Sequence, residues 1–323
     1  MRAALRQSSS ITYLHPLSAL PRHLEIWTEV RATRILIENG NAIGAETTRG
    51  AIRARRAVIL CCGSIQTPLL MMLSGLGPAR HLSEQEITVV ANLPHVGQHL
   101  RGHVAAPIVW ETHAAIAPWK ICPFEATMML QLDDDAPSPD VLFHFGLRVR
   151  EKYGENPRLN VTVPAVKASP NVTRARSEGS VDLTSRDYRD PPRIALNYFS
   201  DPYDMRILLK AMRFTRRFMQ TPSFQSLCKT EIHPGPHVES DDEWMGHIRS
   251  VCETVYHPCG TAAIGSVIST DLRVHDIRNL IVADALLFPS LITTNINCAV
   301  MMAAEKAADL ILSWSGINFD RIG

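Results

Sequence analysis

No run of apolar residues in this 323-residue chain approaches the roughly 20 that a membrane-spanning helix needs. Charge of one sign is also scarce. Its 33 Lys and Arg against 32 Asp and Glu leave a formal net charge of +1, which gives no electrostatic support to a nucleic-acid or membrane-surface partner. The seven cysteines are odd in number and form no Cys-x-x-Cys pair, which argues against a disulfide framework and for a reducing, cytoplasmic compartment. Glycosylation needs secretion, so the Asn160 and Asn171 sequons then carry little weight. The opening stretch MRAALRQSSSITYLHPL has an Arg but no clean apolar h-region and no small-residue cleavage site, so no signal peptide is read in it. There is no internal repeat and no low-complexity tract. The fingerprint Gly-x-Gly-x-x-Gly is absent too, so a complete dinucleotide cradle is not encoded.

What is present is an ordinary soluble composition, 46% hydrophobic and 20% charged, long enough for one large domain or two smaller ones. The first hundred residues read as α/β. HLEIWTEV and the longer ATRILIENGNAIGAETTRGAIRARRAVILCC hold short β-branched segments, with Asn39-Gly40 as a hairpin turn. AVILCC is a continuous apolar run of the kind buried on both faces, which places Cys61 and Cys62 in a buried strand. Gly63 ends that run, and SIQTPLLMMLSGLG predicts a helix capped by Ser64 and closed by Gly75 and Gly77. Strand, glycine, helix is how a doubly wound sheet offers a helix N-terminus to a phosphate.

From about residue 104 the texture changes to mixed α+β. The polar LDDDAPSPDV reads as a surface loop, GSVDLTSRD and PPRIAL as strands, and an amphipathic helix begins near Ser200. Later, NLIVADALLFP signals another buried strand, and NCAVMMAAEKAADLILSW a last helix with Asn297 as its cap. The domain division expected is 1–103, 104–245 and a return to the first domain over 246–323.

The chemistry concentrates in VYHPCGTAAIG, residues 255–265. A residue before proline is driven out of the helical region, so His257 sits on restrained, extended backbone, which suits a histidine that must meet a substrate at hydrogen-bond distance. A histidine that only fills space has no need of such restraint. His95, His99 and His103 recur every four residues and on a helix would line one face like metal ligands. Gly97 and Gly102 argue against a helix, so a polar loop is the favoured reading and no metal is assigned. Asn295 stands just ahead of the last helix, where an amide can donate to an oxygen near a positive helix end. Its alternative is a plain N-cap, a role open to Asn297 as well. Asp284, at a strand end, either grips a cofactor's polar chain or caps its own turn.

At these residues a resemblance enters. AVILCCGSIQTPLLMMLSGLGP resembles the second signature of the glucose-methanol-choline (GMC) flavoprotein oxidoreductases: a buried strand, Gly-Ser, Thr-Pro, then a Leu/Met-rich helix ending Ser-Gly-hydrophobic-Gly-Pro. SEGSVDLTSRDYRDPPRIALNYFSDPYD, ETVYHPCGTAAIG and LRVHDIRNLIVADALLFPSLITTNINCAVMMAAEKAADLI are similar to successive blocks of the family's C-terminal region, closest to its choline dehydrogenase and choline oxidase-like branch. One block departs: the family's Val-Gly-x-Asn-Leu-x-Asp-His reads VGQHLRGH, with His99 and Gly102 in place of an Asn and an Asp.

The resemblance implies a Rossmann-like FAD-binding domain, incomplete here, with a substrate domain built on an antiparallel sheet. It implies oxidation of a primary alcohol to an aldehyde by hydride transfer to flavin N5, with FAD as cofactor and oxygen or a quinone-type carrier as electron acceptor. His257 matches the catalytic base, and Asn295 the second His or Asn of the site, a donor to the substrate oxygen. Asp284 with Ala285 matches the run near the FAD pyrophosphate. Tyr256, Ile296 and Asn297 fall to the cofactor by their places beside the base and at the last helix, and Ala32 to a backbone contact at the adenine end. Complete members begin with a βαβ unit bearing the missing fingerprint, and QSSSITYLHPL resembles a point well inside them. The competing expectation is therefore a C-terminal fragment, catalytically inactive because it does not bind FAD alone.

Overall fold

A computed structural model describes residues 8–17, 19–116, 126–146, 159 and 161–314. It is a mixed α/β structure dominated by antiparallel pairing. The first sheet is a meander of Ala32–Glu38, Asn41–Thr47 and Gly50–Arg53. Its opening turn is the expected Asn39-Gly40, with φ of 48° and 71°, the left-handed pair that matches the twist of a hairpin. The strand Val58–Leu60 then pairs in parallel with Leu280–Val282, two segments far apart in the chain. His23–Val30 forms no strand; Ile26 and Trp27 there are exposed and no neighbouring strand offers them a ladder.

Among the described residues six α-helices follow in order: α1 (Gly63–Leu73), α2 (Ala79–Glu84), α3 (Pro202–Met219), α4 (Pro222–Gln225), α5 (Asp241–Val251) and α6 (Asn297–Trp314). Two sequence expectations at α1 are corrected. The strand is not buried on both faces, since Ile59 is 45% exposed and only Leu60 is buried, and Cys61 and Cys62 do not continue it; both are exposed, because the chain turns at once through Gly63, at φ 81°, into the helix. Ser64 does not cap α1 either. It lies one residue inside the helix, where its hydroxyl is free to turn outward and donate to the carbonyl of Pro258 at 2.8 Å. The far end is as expected, with Gly75 at φ 83° just past the last turn.

The largest sheet has seven strands, all antiparallel. Ala165–Val172 is central: it pairs with Val141–Gly146 on one side, and on the other with Val104–Ala105 and Ile108–Thr112 in succession. α3 packs on this sheet with Ile207, Leu208, Ala211 and Met212 fully buried. It starts at Pro202, where proline's missing N–H costs nothing, and Asp201 caps it by accepting from Tyr203 N. α5 opens on a capping box, Ser240 with Glu243.

Apolar residues gather into two main cores. One joins α1, the parallel pair and residues 262–287; the other joins the seven-stranded sheet, α3 and α5. Trp244 of α5 is 1% exposed in the second, with the Arg216 guanidinium 4.1 Å from its ring centre and Arg216 itself forked onto Glu231. Trp244→Ala empties that site, and we expect a loss of about 3–5 kcal/mol, read as a lower urea midpoint at unchanged slope.

Candidate active site

The segment carrying His257 is fixed by its backbone on both sides. Arg101 and Cys259 exchange a pair of bonds, Arg101 N to Cys259 O at 3.0 Å and Cys259 N to Arg101 O at 2.9 Å. Val255 N donates to His103 O at 3.1 Å, and Ser64 of α1 donates to Pro258 O. Thr261 returns the tie, its hydroxyl donating to Ser64 O at 2.7 Å. Gly260, at φ 89°, leaves no room for a side chain: a Cβ there would stand 2.5 Å from the carbonyl oxygen of His99. Each feature of the His-Pro-x-Gly-Thr stretch thus serves to hold one ring in place.

That ring is half-buried, and burial lowers the pKa of His257 below the ordinary histidine value. Its Nδ1 lies 2.8 Å from Nδ1 of His103, with the two rings edge-on at 86°. His103 is fully buried, and its Nε2 lies 2.9 Å from the carbonyl oxygen of Ile292. Burial above all pushes the His103 pKa down to about 4; the charge of His257 adds to this, and the carbonyls of Ile292 and Thr173 act the other way. His144, on Val141–Gly146 across the central strand Ala165–Val172, is also pushed to about 4, by burial first and then by the charges of His257 and Lys167.

His103 is the residue that sequence reading misses. Its fourfold spacing with His95 and His99 suggests metal ligands or a loop, and nothing local signals a contact 154 positions away. In the structure His95 lies in a turn and His99 on the strand Gln98–Leu100; His99 Nδ1 meets Glu178 at 2.5 Å. Among the described residues, no group of three His, Cys, Asp or Glu is arranged to hold a metal ion.

Tyr256 is 74% exposed and takes φ 61°, so its ring stands clear of the protein immediately beside His257. Asn295 and Asn297 are exposed and Ile296 is buried. Asn297 is the first residue of α6, one place inside the expected cap, and its amide turns along the helix to Met301 Sδ at 3.8 Å. No acidic side chain occupies the first turn of α6. The loop bearing Asn295 joins the histidines through Ile292. Asp284 takes three protein donors: Gly63 N and Leu286 N at 2.9 Å and Thr67 Oγ1 at 3.0 Å. Its carboxylate therefore ties the end of Leu280–Val282 to the start of α1 and caps the turn Ala285–Leu287. Ala32 begins the first hairpin and lines, with Cys62, Gln66 and Leu70, a cavity of about 330 Å³. The first turn of α1 is thus where the Asp284 and His257 segments meet.

Two family models described as GMC oxidoreductase match residues 1–105 and 175–304. Choline oxidase of Arthrobacter globiformis is 34% identical over 323 residues, 95% of this chain and 59% of that protein. Oxygen-dependent choline dehydrogenase of Burkholderia cenocepacia (strain HI2424) is 34% identical over 337 residues, with the same two coverages, 95% and 59%. The chain thus spans about 59% of the length of these relatives. Among solved structures, pyridoxine 4-oxidase from Mesorbium loti superposes with a TM-score of 0.89 at 23% identity, over 96% of this chain and 62% of that one. A formate oxidase superposes with a TM-score of 0.78 at 25% identity, over 88% and 60%.

Proposed function

The chain belongs to the GMC oxidoreductase family, and on that premise we propose that it serves the FAD-dependent oxidation of a primary alcohol to an aldehyde with His257 as base. The observation that carries the reading is the half-buried ring of His257, its pKa lowered by burial and its backbone segment clamped by hydrogen bonds on both sides. The residues present suit one end of FAD. An exposed Tyr256, an exposed Asn295 and a helix N-terminus free of acidic side chains offer a flat surface, a donor and a positive field to that end. When bound, FAD supplies the acceptor for a hydride at its N5.

His257 accepts the hydroxyl proton at Nε2. As the O–H bond breaks, negative charge builds on the substrate oxygen, the carbonyl forms, and the C–H electron pair leaves as hydride. Asn295 donates to that oxygen and stabilises the charge where it grows. The names of the relatives make a small amino alcohol of the choline type the first substrate to test, with oxygen or a quinone-type carrier as electron acceptor. The free cysteines among the described residues favour the cytoplasm as its location.

The test is the visible absorbance of the purified chain with and without added FAD, followed by aldehyde formation from choline and simple primary alcohols. A flavin band with turnover supports the reading. A chain that takes up no flavin favours the inactive-fragment alternative instead. Two outcomes sharpen it. Since burial lowers the pKa of His257, kcat/KM stays high on the acid side until pH falls below 6.5, the ordinary histidine value; an acid limb above that value contradicts the base assignment. Asn295→Ala lowers turnover by up to about 10², less than loss of the base, and unchanged turnover removes Asn295 from the site.

A further inference from the structure

We propose that His103 is a positioning residue that fixes which nitrogen of His257 carries the proton, and so makes Nε2 the basic one. The inference rests on the reading of His257 as base but is argued from three atoms and one carbonyl. A carbonyl oxygen only accepts, so the 2.9 Å contact between Ile292 O and His103 Nε2 requires a proton on that nitrogen. His103 is fully buried and neutral, so it carries one proton only, and its Nδ1 is left with a lone pair. That lone pair faces His257 Nδ1 at 2.8 Å, a separation at which two unprotonated nitrogens repel. The proton between them therefore belongs to His257: Nδ1–H of His257 donates to Nδ1 of His103. A neutral imidazole holds one proton, so His257 Nε2 is the free base.

The reverse arrangement fails at the other end. A proton on His103 Nδ1 would leave its Nε2 lone pair against the lone pairs of Ile292 O. The orientation of the catalytic ring is thus relayed from a backbone carbonyl on the loop that also carries Asn295. His103 keeps its part after proton transfer as well: as a neutral acceptor it stabilises the imidazolium that forms on His257, where a second cation would oppose it.

The test begins with nitrogen-15 NMR of the full chain labelled in histidine, which distinguishes protonated from unprotonated ring nitrogens without cofactor or substrate. The His257 signals are those missing in His257→Gln. We expect Nδ1 protonated and Nε2 unprotonated at neutral pH; an Nε2-protonated His257 in the unaltered chain overturns the proposal. His103→Leu removes the acceptor and should shift His257 toward the other tautomer, whereas His103→Asn keeps an oxygen at the Nδ1 position and should preserve it. In flavin-loaded protein, His103→Leu lowers kcat at least about tenfold with KM little changed, part of the 10²–10⁴ that positioned proton transfer supplies. His103→Asn recovers most of that loss. Equal defects in both variants, or an unshifted His257 tautomer in His103→Leu, also overturn it. A correct tautomer with no alcohol oxidation at all would instead count against the proposed function.

Discussion

His257→Ala is expected to lower turnover by roughly 10²–10⁴ while the flavin content of the preparation stays unchanged. The bonds that hold residues 255–261 run through the backbone and through Ser64 and Thr261, so none of them ends on the His257 side chain. Truncation to alanine removes the ring's hydrogen bond with His103 and leaves that support in place. The fold of the segment therefore survives, and what disappears is the proposed proton acceptor. Turnover and flavin absorbance measured on one sample decide the matter. If flavin is lost together with activity, His257 has a structural role and the assignment fails.

A second large effect appears in stability toward acid. His103 and His144 each have a pKa lowered from 6.5 to about 4 by burial and by the charges beside them. For a histidine with a lowered folded pKa, the unfolded chain binds more protons throughout the interval between the two values. Stability is then fully present above 6.5 and is lost as pH falls toward 4. From pH 7 to pH 5 each site gives up about 2 kcal/mol, so the pair removes about 4 kcal/mol from a total that for most domains is 5–15. Urea unfolding at the two pH values measures this directly. His144→Gln should flatten the difference by about half, and an unaltered chain equally stable at both values would refute the claim.

Much of the local structure is legible in the sequence because its causes are local. Asn39-Gly40 reads as a hairpin since few other pairs accept two positive φ values in succession, and Gly63 and Gly75 bracket α1 for the same reason. The amphipathic run after Ser200 becomes α3, displaced only to the proline that best begins it. Errors arise where neighbours decide. The apolar run into Cys61 and Cys62 gives no sign that the helix begins at once, leaving both side chains exposed. Ser64 has the composition of a cap, but Pro258, 194 positions on, claims its hydroxyl. The pairing of His103 with His257 depends on two backbone segments meeting as an antiparallel bridge at Arg101 and Cys259. No periodicity in either stretch encodes that meeting. Sheet order is likewise hidden, since Ala165–Val172 draws its partners from strands scattered along the chain before it.

The antiparallel bridge at Arg101 and Cys259 has a consequence for how such a protein diversifies. The His257 ring, its histidine neighbour and the loop behind them draw their support from residues 99–103, 255–261 and 292, together with the start of α1. Of the three outermost strands of the large sheet, Glu253–Thr254 leads straight into the His257 segment, whereas Ala126–Leu130 and Cys228–His233 supply none of those bonds. Heritable change can accumulate along those two edges while the paired histidines stay as they are.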